Sequence, residues 1–483
     1  MAVLKKGRNM QIDTTKWTNK IKEIVNNKNK KYIIFTMGCQ LNENDSEKIS
    51  GMLKESGFTK TNNTEEADII VFNTCCVREN AEERLLGKLG EVKKYKENHG
   101  AIIAIGGCMM QEKNMVDKIK KSYPYVDILF GTHTLERFSE NLYSVLKEHK
   151  KIDDIINIDG VVYEGVPVDR TDKYRASVSI MNGCNNFCTF CIVPYVRGRE
   201  RSRNPQDIIN EIEDLAGKGY KEITLLGQNV NSYLVSQKQK GENVNYRVKL
   251  KNENEEIEVN SFATLLRAIN RIKGIERIRF ISPHPKDFTD DVIDAIRDCE
   301  NVCKLIHLPL QSGSTRILKL MNRKYTKEQY LNLVKKIKDK IPGATFTTDI
   351  IVGFPGENED DFEETLDVVK KVKFEQIFMF IYSRRKGTAA DKMQEQVDEK
   401  IKHIRFEKLK ELYSQMVDEI NKTYIGTTQK ILVEGPSKTN EKILTGRTES
   451  NKVVNFEAKQ DLIGKMIDIK IVSEHKWYLK GKI

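Results

Sequence analysis

The chain has 483 residues, with 81 Lys and Arg against 70 Asp and Glu, which gives a formal net charge of +11. A chain of this length is too long to fold around a single hydrophobic core, and it suggests about three domains. From the nine cysteines, the lysine-rich start and the lack of a long apolar run, we expect neither a fully paired disulfide scaffold nor a signal peptide nor a membrane span. We therefore expect a cytoplasmic protein with reduced thiols and no membrane partner, whose positive charge favours a polyanion.

The amino-terminal third begins with a polar segment and continues as an α/β pattern. Residues 1–30 are rich in Lys and Asn and lack periodicity, which predicts a mobile or loosely docked extension. Across residues 31–149, short apolar runs alternate with helical patterns, as is typical of an open parallel α/β sheet covered on both faces. The apolar runs are residues 32–35, 68–72, 101–105 and 126–130.

A cysteine follows each of the first three predicted strands, at Cys39, Cys75 and Cys108. In an open α/β sheet, the carboxyl ends of the strands border one crevice where ligands bind, so the three thiols should converge. A single cysteine after a strand would not indicate a metal site, because cysteines are common in hydrophobic cores. Three in succession predict a three-ligand cluster site, and Cys76 complicates it because an adjacent thiol can compete as ligand.

A linker at residues 150–172 is predicted to precede a central domain, residues 173–420, in which strands alternate with amphipathic helices such as 205–216 and 262–272. Six β/α units fall short of the eight of a full barrel, so we expect a partial (β/α)6 barrel with its active site at the carboxyl ends of its strands. Residues 235–259 lack an apolar face and are predicted to form an inserted surface loop. The strand-like runs are residues 176–180, 222–226, 277–281, 304–308, 346–352 and 377–381.

After the first of these strands, Cys184, Cys188 and Cys191 form a C-x3-C-x2-C pattern. Thiolates prefer iron-sulfur clusters or zinc to hard cations, and a closed zinc site has four ligands. Three cysteines in eight residues therefore fit a 4Fe-4S cluster with one open iron better than the alternatives, a small zinc loop or unligated thiols.

This pattern resembles the signature of radical S-adenosylmethionine enzymes. In that superfamily, the open iron chelates S-adenosylmethionine, and one electron from the cluster cleaves it to a 5'-deoxyadenosyl radical. By this resemblance, polar and glycine residues at the strand ends are candidates to bind S-adenosylmethionine or substrate, although turn residues are also expected there. His307 lies within its strand and fits a hydrogen-bonded core histidine better. The candidates are Gly227, Gln228, Asn229, His284, Gln311 and Asp349.

Four arginines, Arg197, Arg199, Arg201 and Arg203, follow the cysteine loop directly. Guanidinium groups beside a nucleotide-sized site suggest bidentate contacts to RNA phosphates. The alternative is a solvated segment that leads into a helix.

The last part of the chain changes character after a long predicted helix with apolar residues at Ile401, Ile404, Leu409, Leu412, Met416 and Ile420. Residues 421–483 show short β runs separated by turns, which predicts a small barrel of about five strands that resembles the OB-like TRAM domain. The resemblance implies RNA binding, and this segment has twelve Lys and Arg against seven Asp and Glu. Phe456, Trp477 and Tyr478 either contact RNA or close the barrel core.

Residues 31–483 as a whole resemble the radical S-adenosylmethionine methylthiotransferases. The sequence motifs on which this resemblance rests are residues 36–42, 73–78 and 106–108. In that family, cysteines at positions that match Cys39, Cys75 and Cys108 hold an auxiliary 4Fe-4S cluster whose open iron carries the sulfur to be transferred. Residues 193–200, 227–233 and 307–314 are similar to the MiaB type, which converts N6-isopentenyladenosine at tRNA position 37, next to the anticodon, into its 2-methylthio derivative.

The resemblance implies two 4Fe-4S clusters, S-adenosylmethionine used in two different roles, and the anticodon stem-loop of tRNA as partner. It also implies a cellular electron donor and a sulfur source, and a chain that acts as a monomer. Two alternatives remain open: a methylthiotransferase acting on threonylcarbamoyladenosine in tRNA, and a non-catalytic iron-sulfur RNA-binding protein.

Overall fold

A computed structural model describes residues 9–26, 28–76, 81–156, 162–437 and 440–483. The end of the predicted 73–78 motif and part of the predicted linker lie outside these residues. The chain divides into two compact units: residues 1–171, 179–185 and 191–207 form the first, and residues 172–178, 186–190 and 208–483 form the second. Within the described ranges, no helix is long and apolar enough to cross a membrane.

Strands and helices alternate through most of the chain. The strands are β1 (Asn9–Gln11), β2 (Lys31–Thr36), β3 (Thr59–Lys60), β4 (Ile69–Thr74), β5 (Ile102–Gly107), β6 (Ile128–Phe130), β7 (Ile152–Asp154), β8 (Val162–Glu164), β9 (Arg175–Ser179), β10 (Met181–Asn182), β11 (Arg201–Ser202), β12 (Glu222–Leu226), β13 (Tyr246–Lys249), β14 (Glu256–Val259), β15 (Arg277–Phe280), β16 (Leu305–His307), β17 (Thr345–Val352), β18 (Gln376–Ile381), β19 (Thr428–Ser437), β20 (Asn440–Arg447), β21 (Val453–Glu457), β22 (Met466–His475) and β23 (Tyr478–Lys482). The helices are α1 (Thr15–Val25), α2 (Gln40–Glu55), α3 (Ala81–His99), α4 (Lys113–Ser122), α5 (Phe138–Glu148), α6 (Val193–Val196), α7 (Pro205–Gly217), α8 (Val235–Gln239), α9 (Phe262–Asn270), α10 (Asp290–Asp298), α11 (Thr315–Leu320), α12 (Lys327–Lys340), α13 (Glu359–Val372) and α14 (Glu399–Lys422).

The first unit is built on a six-stranded parallel sheet with the order β3-β2-β4-β5-β6-β7. Successive strand residues point to opposite faces, so each apolar strand serves two cores. Ile70 and Ile103 pack against α3 and α4 on one face, and Val71 and Ala104 pack with α1, α2 and α5 on the other. The predicted open parallel α/β domain is confirmed.

Two parts of this unit differ from the prediction. Residues 15–25 are not a loosely docked extension, because α1 buries Ile21 and Val25 in the second core. Thr18, Ile21 and Val25 recur at helical spacing, but the surrounding Lys and Asn conceal the pattern. The segment predicted as a linker supplies β7 to the edge of the sheet and β8 as the parallel partner of β1.

The six predicted strands of the central region are all present, as two three-stranded sheets with the orders β15-β12-β9 and β16-β17-β18, and apart from Ser179 at the end of β9 they belong to the second unit. The β12–β15, β16–β17 and β17–β18 pairs are parallel, and a single parallel bridge joins Ile278 to Val302 between the two sheets. This arrangement confirms the partial barrel. The prediction for residues 235–259 is wrong, since they form α8 and the antiparallel β13–β14 hairpin, which buries Val248 and Val259.

The carboxyl-terminal strands form a closed barrel with the order β19-β20-β21-β23-β22, and this confirms the predicted small barrel. Phe456 is part of its core, whereas Trp477 is 76% exposed. The apolar face predicted for the preceding helix is partly wrong, because Ile401 and Ile404 are exposed. The first turns of α14 instead bury Lys402 and Arg405.

Two arginines of β15 anchor this barrel to the central strands. Arg277 and Arg279 flank the buried Glu222 carboxylate at 3.5 and 3.1 Å. Each guanidinium also donates two hydrogen bonds to the barrel backbone. The four acceptors, at 2.6 to 3.0 Å, are the carbonyl oxygens of Lys430, Arg447, Thr448 and Glu449.

Candidate active site

The carboxyl ends of β2, β4 and β5 carry Cys39, Cys75 and Cys108. The sheet order reverses between β2 and β4, since α2 covers one face and α3 the other, and such a switch point opens a crevice at the strand ends. Cys39 is the N-cap of α2, Cys75 follows β4, and Cys108 opens a 3-10 turn over Cys108–Gln111. The topology therefore brings the three thiols to one edge of one sheet.

Asn42 joins these strand ends by hydrogen bonds. Its Nδ2 donates to the carbonyl oxygen of Thr74 at 2.8 Å, and its Oδ1 accepts from the Cys39 thiol at 3.4 Å. Gly38 has a φ of +146°, and a Cβ at this position would lie 2.7 Å from the Cys75 Cβ. Only glycine allows the Cys39 and Cys75 segments to approach this closely.

Arg197 lies inside this thiol site. Its side chain is buried, its Nη2 donates to Asp45 Oδ2 at 2.7 Å, and its Nε donates to the Cys108 Sγ at 3.2 Å. A buried guanidinium held by a carboxylate does not contact a phosphate, so the predicted RNA contact of Arg197 is wrong. Arg203 is likewise held by Glu164, at 2.8 and 2.6 Å.

The sequence does not reveal these ion pairs, because Asp45 and Glu164 lie far from Arg197 and Arg203 in the chain. Arg199 is exposed and Arg201 is half-buried. For these two arginines the RNA contact stays a prediction.

Cys76 lies beside Cys108, and the two share a hydrogen bond. That bond and the positive charge of Arg197 outweigh burial and lower the pKa of the Cys108 thiol to about 6. The same hydrogen bond raises the pKa of Cys76. Because the thiolate is the metal-binding form, Cys108 is the better donor of this pair at neutral pH.

In the first unit, the start of the C-x3-C-x2-C loop is held by the β10–β11 hairpin. The Cys184 N–H donates to the carbonyl oxygen of Gly198 at 3.2 Å, and Asn185 Oδ1 accepts from the Glu200 N–H at 3.2 Å. Gly183 has a φ of +78°, and a Cβ there would lie 2.2 Å from the Arg199 carbonyl oxygen. The 198–200 segment therefore supports the beginning of the cysteine loop.

In the second unit, Cys188 lies near the turn that follows α11. Arg323 is buried, with its Nη1 3.4 Å from the Cys188 Sγ, and its Nη2 donates to the Pro309 carbonyl oxygen at 3.0 Å. Asn322 Nδ2 donates to the carbonyl oxygen of Phe187 at 2.9 Å, where the backbone has a φ of +49°. Sequence reasoning missed both residues, and their only signal is an Asn-Arg pair directly after a helix.

The candidates Gly227, Gln228 and Asn229 follow β12. Asn229 is 1% exposed, and its Nδ2 donates to Asp287 Oδ2 at 2.8 Å. Within the described part of the chain, Gln228 Oε1 and Asn229 Oδ1 are buried without a hydrogen-bond partner. Leaving a buried acceptor unsatisfied costs about 1–3 kcal/mol. Two such atoms at a barrel strand end therefore fit a ligand that carries hydrogen-bond donors.

His284 starts the short turn Pro285–Asp287, and its Nδ1 accepts from the Lys286 N–H at 3.2 Å. Asn231 holds its backbone through bonds of 2.8 and 2.9 Å. Burial, followed by the charges of Arg323 and Lys286, holds the pKa of His284 far below its usual range. The ring is therefore neutral, and its Nε2–H is the donor.

Gln311 and Asp349 meet where β17 passes the turn after β16. Gln311 has a φ of +70°, and its N–H donates to the Asp349 carbonyl oxygen at 2.8 Å. The Asp349 carboxylate lies 3.6 Å from His307 Nε2, and His307 Nδ1 lies 2.9 Å from Thr347 Oγ1. His307 is thus hydrogen-bonded within its sheet.

The donor chemistry of both cysteine trios fits iron-sulfur clusters. Among the described residues, no three His, Cys, Asp or Glu side chains are already arranged to hold a single metal ion. All nine cysteines are free thiols, however, and the positive charge of Arg197 acts on Cys108 and Cys39 of the strand-end trio, where it favours thiolates. The Gln228 and Asn229 oxygens fit a ligand with an amino group.

Three family models match separate parts of the chain. The Uncharacterized protein family UPF0004 matches residues 31–131, the Radical SAM superfamily matches residues 178–369, and the TRAM domain matches residues 422–483.

Full-length relatives decide the family. Proteins named tRNA-2-methylthio-N(6)-dimethylallyladenosine synthase are 52% identical in Acetivibrio thermocellus, over 98% of this chain and 95% of theirs, and 53% identical in Clostridium beijerinckii, over 95% and 97%. The chain belongs to this synthase family. It is therefore a radical S-adenosylmethionine enzyme, of a class that uses S-adenosylmethionine and a 4Fe-4S cluster, and the MiaB-type resemblance is confirmed.

A likeness to solved structures supports the fold. The radical S-adenosylmethionine methyltransferase TsrM from Kitasatospora setae, with cobalamin and a [4Fe-4S] cluster bound, matches with a TM-score of 0.53 and 13% identity, over 83% of this chain and 77% of that chain. At that identity, the likeness concerns the fold alone.

Proposed function

We propose that this protein inserts sulfur at C2 of N6-dimethylallyladenosine at tRNA position 37, next to the anticodon, and methylates it to the methylthio group. One observation carries the proposal: a chain with the C-x3-C-x2-C loop also collects Cys39, Cys75 and Cys108 at one switch point of a parallel sheet. The full-length relatives named for this reaction support it.

The two trios are proposed to divide the chemistry. Cys184, Cys188 and Cys191 would hold the 4Fe-4S cluster that supplies the electron for cleaving S-adenosylmethionine, and Cys39, Cys75 and Cys108 would hold the auxiliary 4Fe-4S cluster. An unactivated C–H bond is the reason for radical chemistry. The protein's own task is to place the base and to exclude water.

The candidate side chains at the strand ends can perform that placement for S-adenosylmethionine or substrate. The Gln228 and Asn229 oxygens accept from donors of the ligand, and the neutral His284 donates from Nε2. Gln311 and Asp349 fix the adjoining backbone through the 2.8 Å hydrogen bond between them. Gly227, which has no side chain, follows β12 directly and would allow a ligand to approach the backbone there.

The tRNA is proposed to bind as an anticodon stem-loop, with Arg199 and Arg201 near its phosphates and the TRAM barrel on its stem. The exposed Trp477 offers a stacking surface beside Lys476, whereas Phe456 closes the barrel core. An electron donor and a sulfur source come from other cellular components. We propose that the chain works as a cytoplasmic monomer with domains over residues 31–149, 173–420 and 421–483.

Cysteine variants test this division. We expect Cys188→Ala to abolish formation of 5'-deoxyadenosine, and Cys75→Ala to retain it but to lose methylthiolation. Both products are measured by mass spectrometry after anaerobic reconstitution with tRNA. Cys299→Ala, a buried thiol outside both trios, is the matched control and should keep both activities. Full methylthiolation by either trio variant would contradict the proposal, and nucleoside analysis would reveal threonylcarbamoyladenosine as substrate instead.

A further inference from the structure

Two phenylalanines of the edge strand β18 are exposed within the central region. Phe378 is 41% exposed and Phe380 is 50% exposed, although each stands in a regular strand. The strand register pairs Phe378 with Asp349 and Phe380 with Ile351, so all four side chains lie on one face of the β16-β17-β18 sheet. We call this pair of rings the phenylalanine shelf.

Most of the opposite face of the same sheet is buried, although Met379 and Ile381 of β18 are half-buried. Ile306, Phe346, Ile350 and Ile377 alternate with the residues of the open face and are at most 4% exposed. In a barrel of β/α units the helices cover the outer face, so the shelf belongs to the barrel interior. Phe380 is the last residue but one of β18, so the shelf reaches the carboxyl end of the strand, where a barrel enzyme holds its substrate.

The strand residues of the open face are apolar or uncharged polar residues, apart from His307 and Asp349. This face contains no Lys or Arg, and its side chains are Leu305, His307, Thr345, Thr347, Asp349, Ile351, Gln376, Phe378 and Phe380. Such a face suits an uncharged group that is apolar on one side and polar on the other.

The polar side of this surface is fixed next to the shelf. The His307 ring packs edge-on against Phe378 with centroids 5.9 Å apart, and its nitrogens lie near Thr347 and Asp349. The Asp349 carboxylate can accept a hydrogen bond from an amino N–H. A substituted adenine with an N6–H and an apolar N6 substituent matches both halves of the surface.

We propose that the phenylalanine shelf binds the dimethylallyl group of the substrate base, with Asp349 at its N6–H. The inference rests on the proposed function and adds the residues that distinguish the modified base from plain adenosine. Burying one methylene in an apolar pocket is worth about 10- to 200-fold in discrimination. A five-carbon group against two half-exposed rings should therefore give a preference of at least about tenfold.

The test compares the affinity of the reconstituted full chain for two anticodon stem-loop RNAs, one with dimethylallyladenosine and one with adenosine at the position to be modified. We expect at least about tenfold tighter binding of the first by the wild-type enzyme. Phe378→Ala and Phe380→Ala should bring this ratio towards one and leave the affinity for the adenosine RNA unchanged. Ile404 of α14 is also an exposed apolar residue, at 57%, and Ile404→Ala should keep the ratio.

A Phe378→Leu, Phe380→Leu double variant keeps apolar surface and should retain most of the preference, which separates loss of the shelf from loss of the fold. An unchanged ratio in both alanine variants would overturn the shelf proposal alone, provided that the wild-type enzyme methylthiolates the dimethylallyl RNA. An equal loss of affinity for both RNAs would also overturn it. Failure of the wild-type enzyme to methylthiolate either RNA would overturn the proposed function as well.

Discussion

A single buried guanidinium links three segments around the strand-end thiols. Arg197 contacts Asp45 and Cys108, which lie 152 and 89 positions away in the sequence. Its role depends on burial, because a positive charge in a region of low dielectric stabilises thiolates strongly. The nearby Arg199, which is exposed, provides a natural comparison.

We expect Arg197→Met to lower the midpoint potential of the auxiliary cluster, because the reduced cluster carries one more negative charge that the arginine no longer offsets. The variant also leaves Asp45 buried without its partner, which costs about 3–5 kcal/mol of stability. Potentiometric titration followed by EPR spectroscopy measures the potential. Arg197→Lys should restore part of it, and Arg199→Met should leave it unchanged. An unaltered potential in Arg197→Met would show that the guanidinium does not act on the cluster.

His284 should make stability depend on pH. Because its folded-state pKa lies far below the unfolded value of about 6.5, the unfolded chain takes up a proton below that pH and the folded chain does not. The free energy of unfolding should therefore decrease as the pH falls below about 6.5, by up to about 1.4 kcal/mol per pH unit.

His284→Asn keeps an acceptor for the Lys286 N–H and removes this contribution. Urea unfolding of the wild-type and variant proteins at several pH values measures the difference. Parallel pH profiles for the two proteins would refute the assignment of a buried neutral ring.

At the same scale, the sequence reveals the cysteines but not the residues around them. Strand-end position and spacing are local properties, so both trios could be predicted. The roles of Arg197 and Arg323 depend on partners brought together by folding, and a run of arginines looks the same whether it faces solvent or a buried carboxylate. The shelf was missed for a similar reason, since Phe378 and Phe380 look like core residues in a strand pattern.

Among the elements, the β10–β11 hairpin has the most demanding local geometry. We expect Gly183→Ala to disturb the cysteine loop, because the new Cβ would meet the Arg199 carbonyl oxygen and the positive φ is strained for alanine. The total iron bound per chain should therefore fall, while the iron bound at Cys39, Cys75 and Cys108 should stay unchanged.

Gly217→Ala is the matched control for this substitution. This glycine ends α7, its Cβ would meet nothing within 4 Å, and full iron loading is expected. Normal iron content in Gly183→Ala would show that the hairpin tolerates a side chain at this position.

The elements that could be predicted are those with strong apolar periodicity. All six central strands follow from such runs, and so do β2, β4, β5 and β6 of the first sheet, whereas its edge strands β3 and β7 have no such run and were not predicted. The helix α1 and the β13–β14 hairpin were missed because few apolar residues stand among many charges, although Thr18, Ile21 and Val25 keep helical spacing. In α14 the apolar periodicity predicts the wrong buried face. Lys402 and Arg405 are buried and donate hydrogen bonds to the Tyr382 carbonyl oxygen and the Glu357 carboxylate, whereas Ile404 is exposed.

At the scale of the whole molecule, fold class and family could be predicted because separate segments carry independent motifs that agree. What the sequence does not show is how the carboxyl-terminal barrel is fixed to the central strands. The guanidinium groups of Arg277 and Arg279 donate hydrogen bonds to backbone carbonyl oxygens of the barrel. Every residue has a carbonyl oxygen, so the sequence cannot show which residues accept these hydrogen bonds. The barrel is thereby set at the end of the central strands opposite to their carboxyl ends.

The central claim is that six thiolates in two trios hold two clusters. Iron and sulfide content after anaerobic reconstitution tests it most directly. The wild-type chain should bind about eight irons, and each triple alanine variant, at positions 39, 75 and 108 or at positions 184, 188 and 191, should bind about four. About four irons in the wild-type chain, or about eight in either variant, would contradict the account.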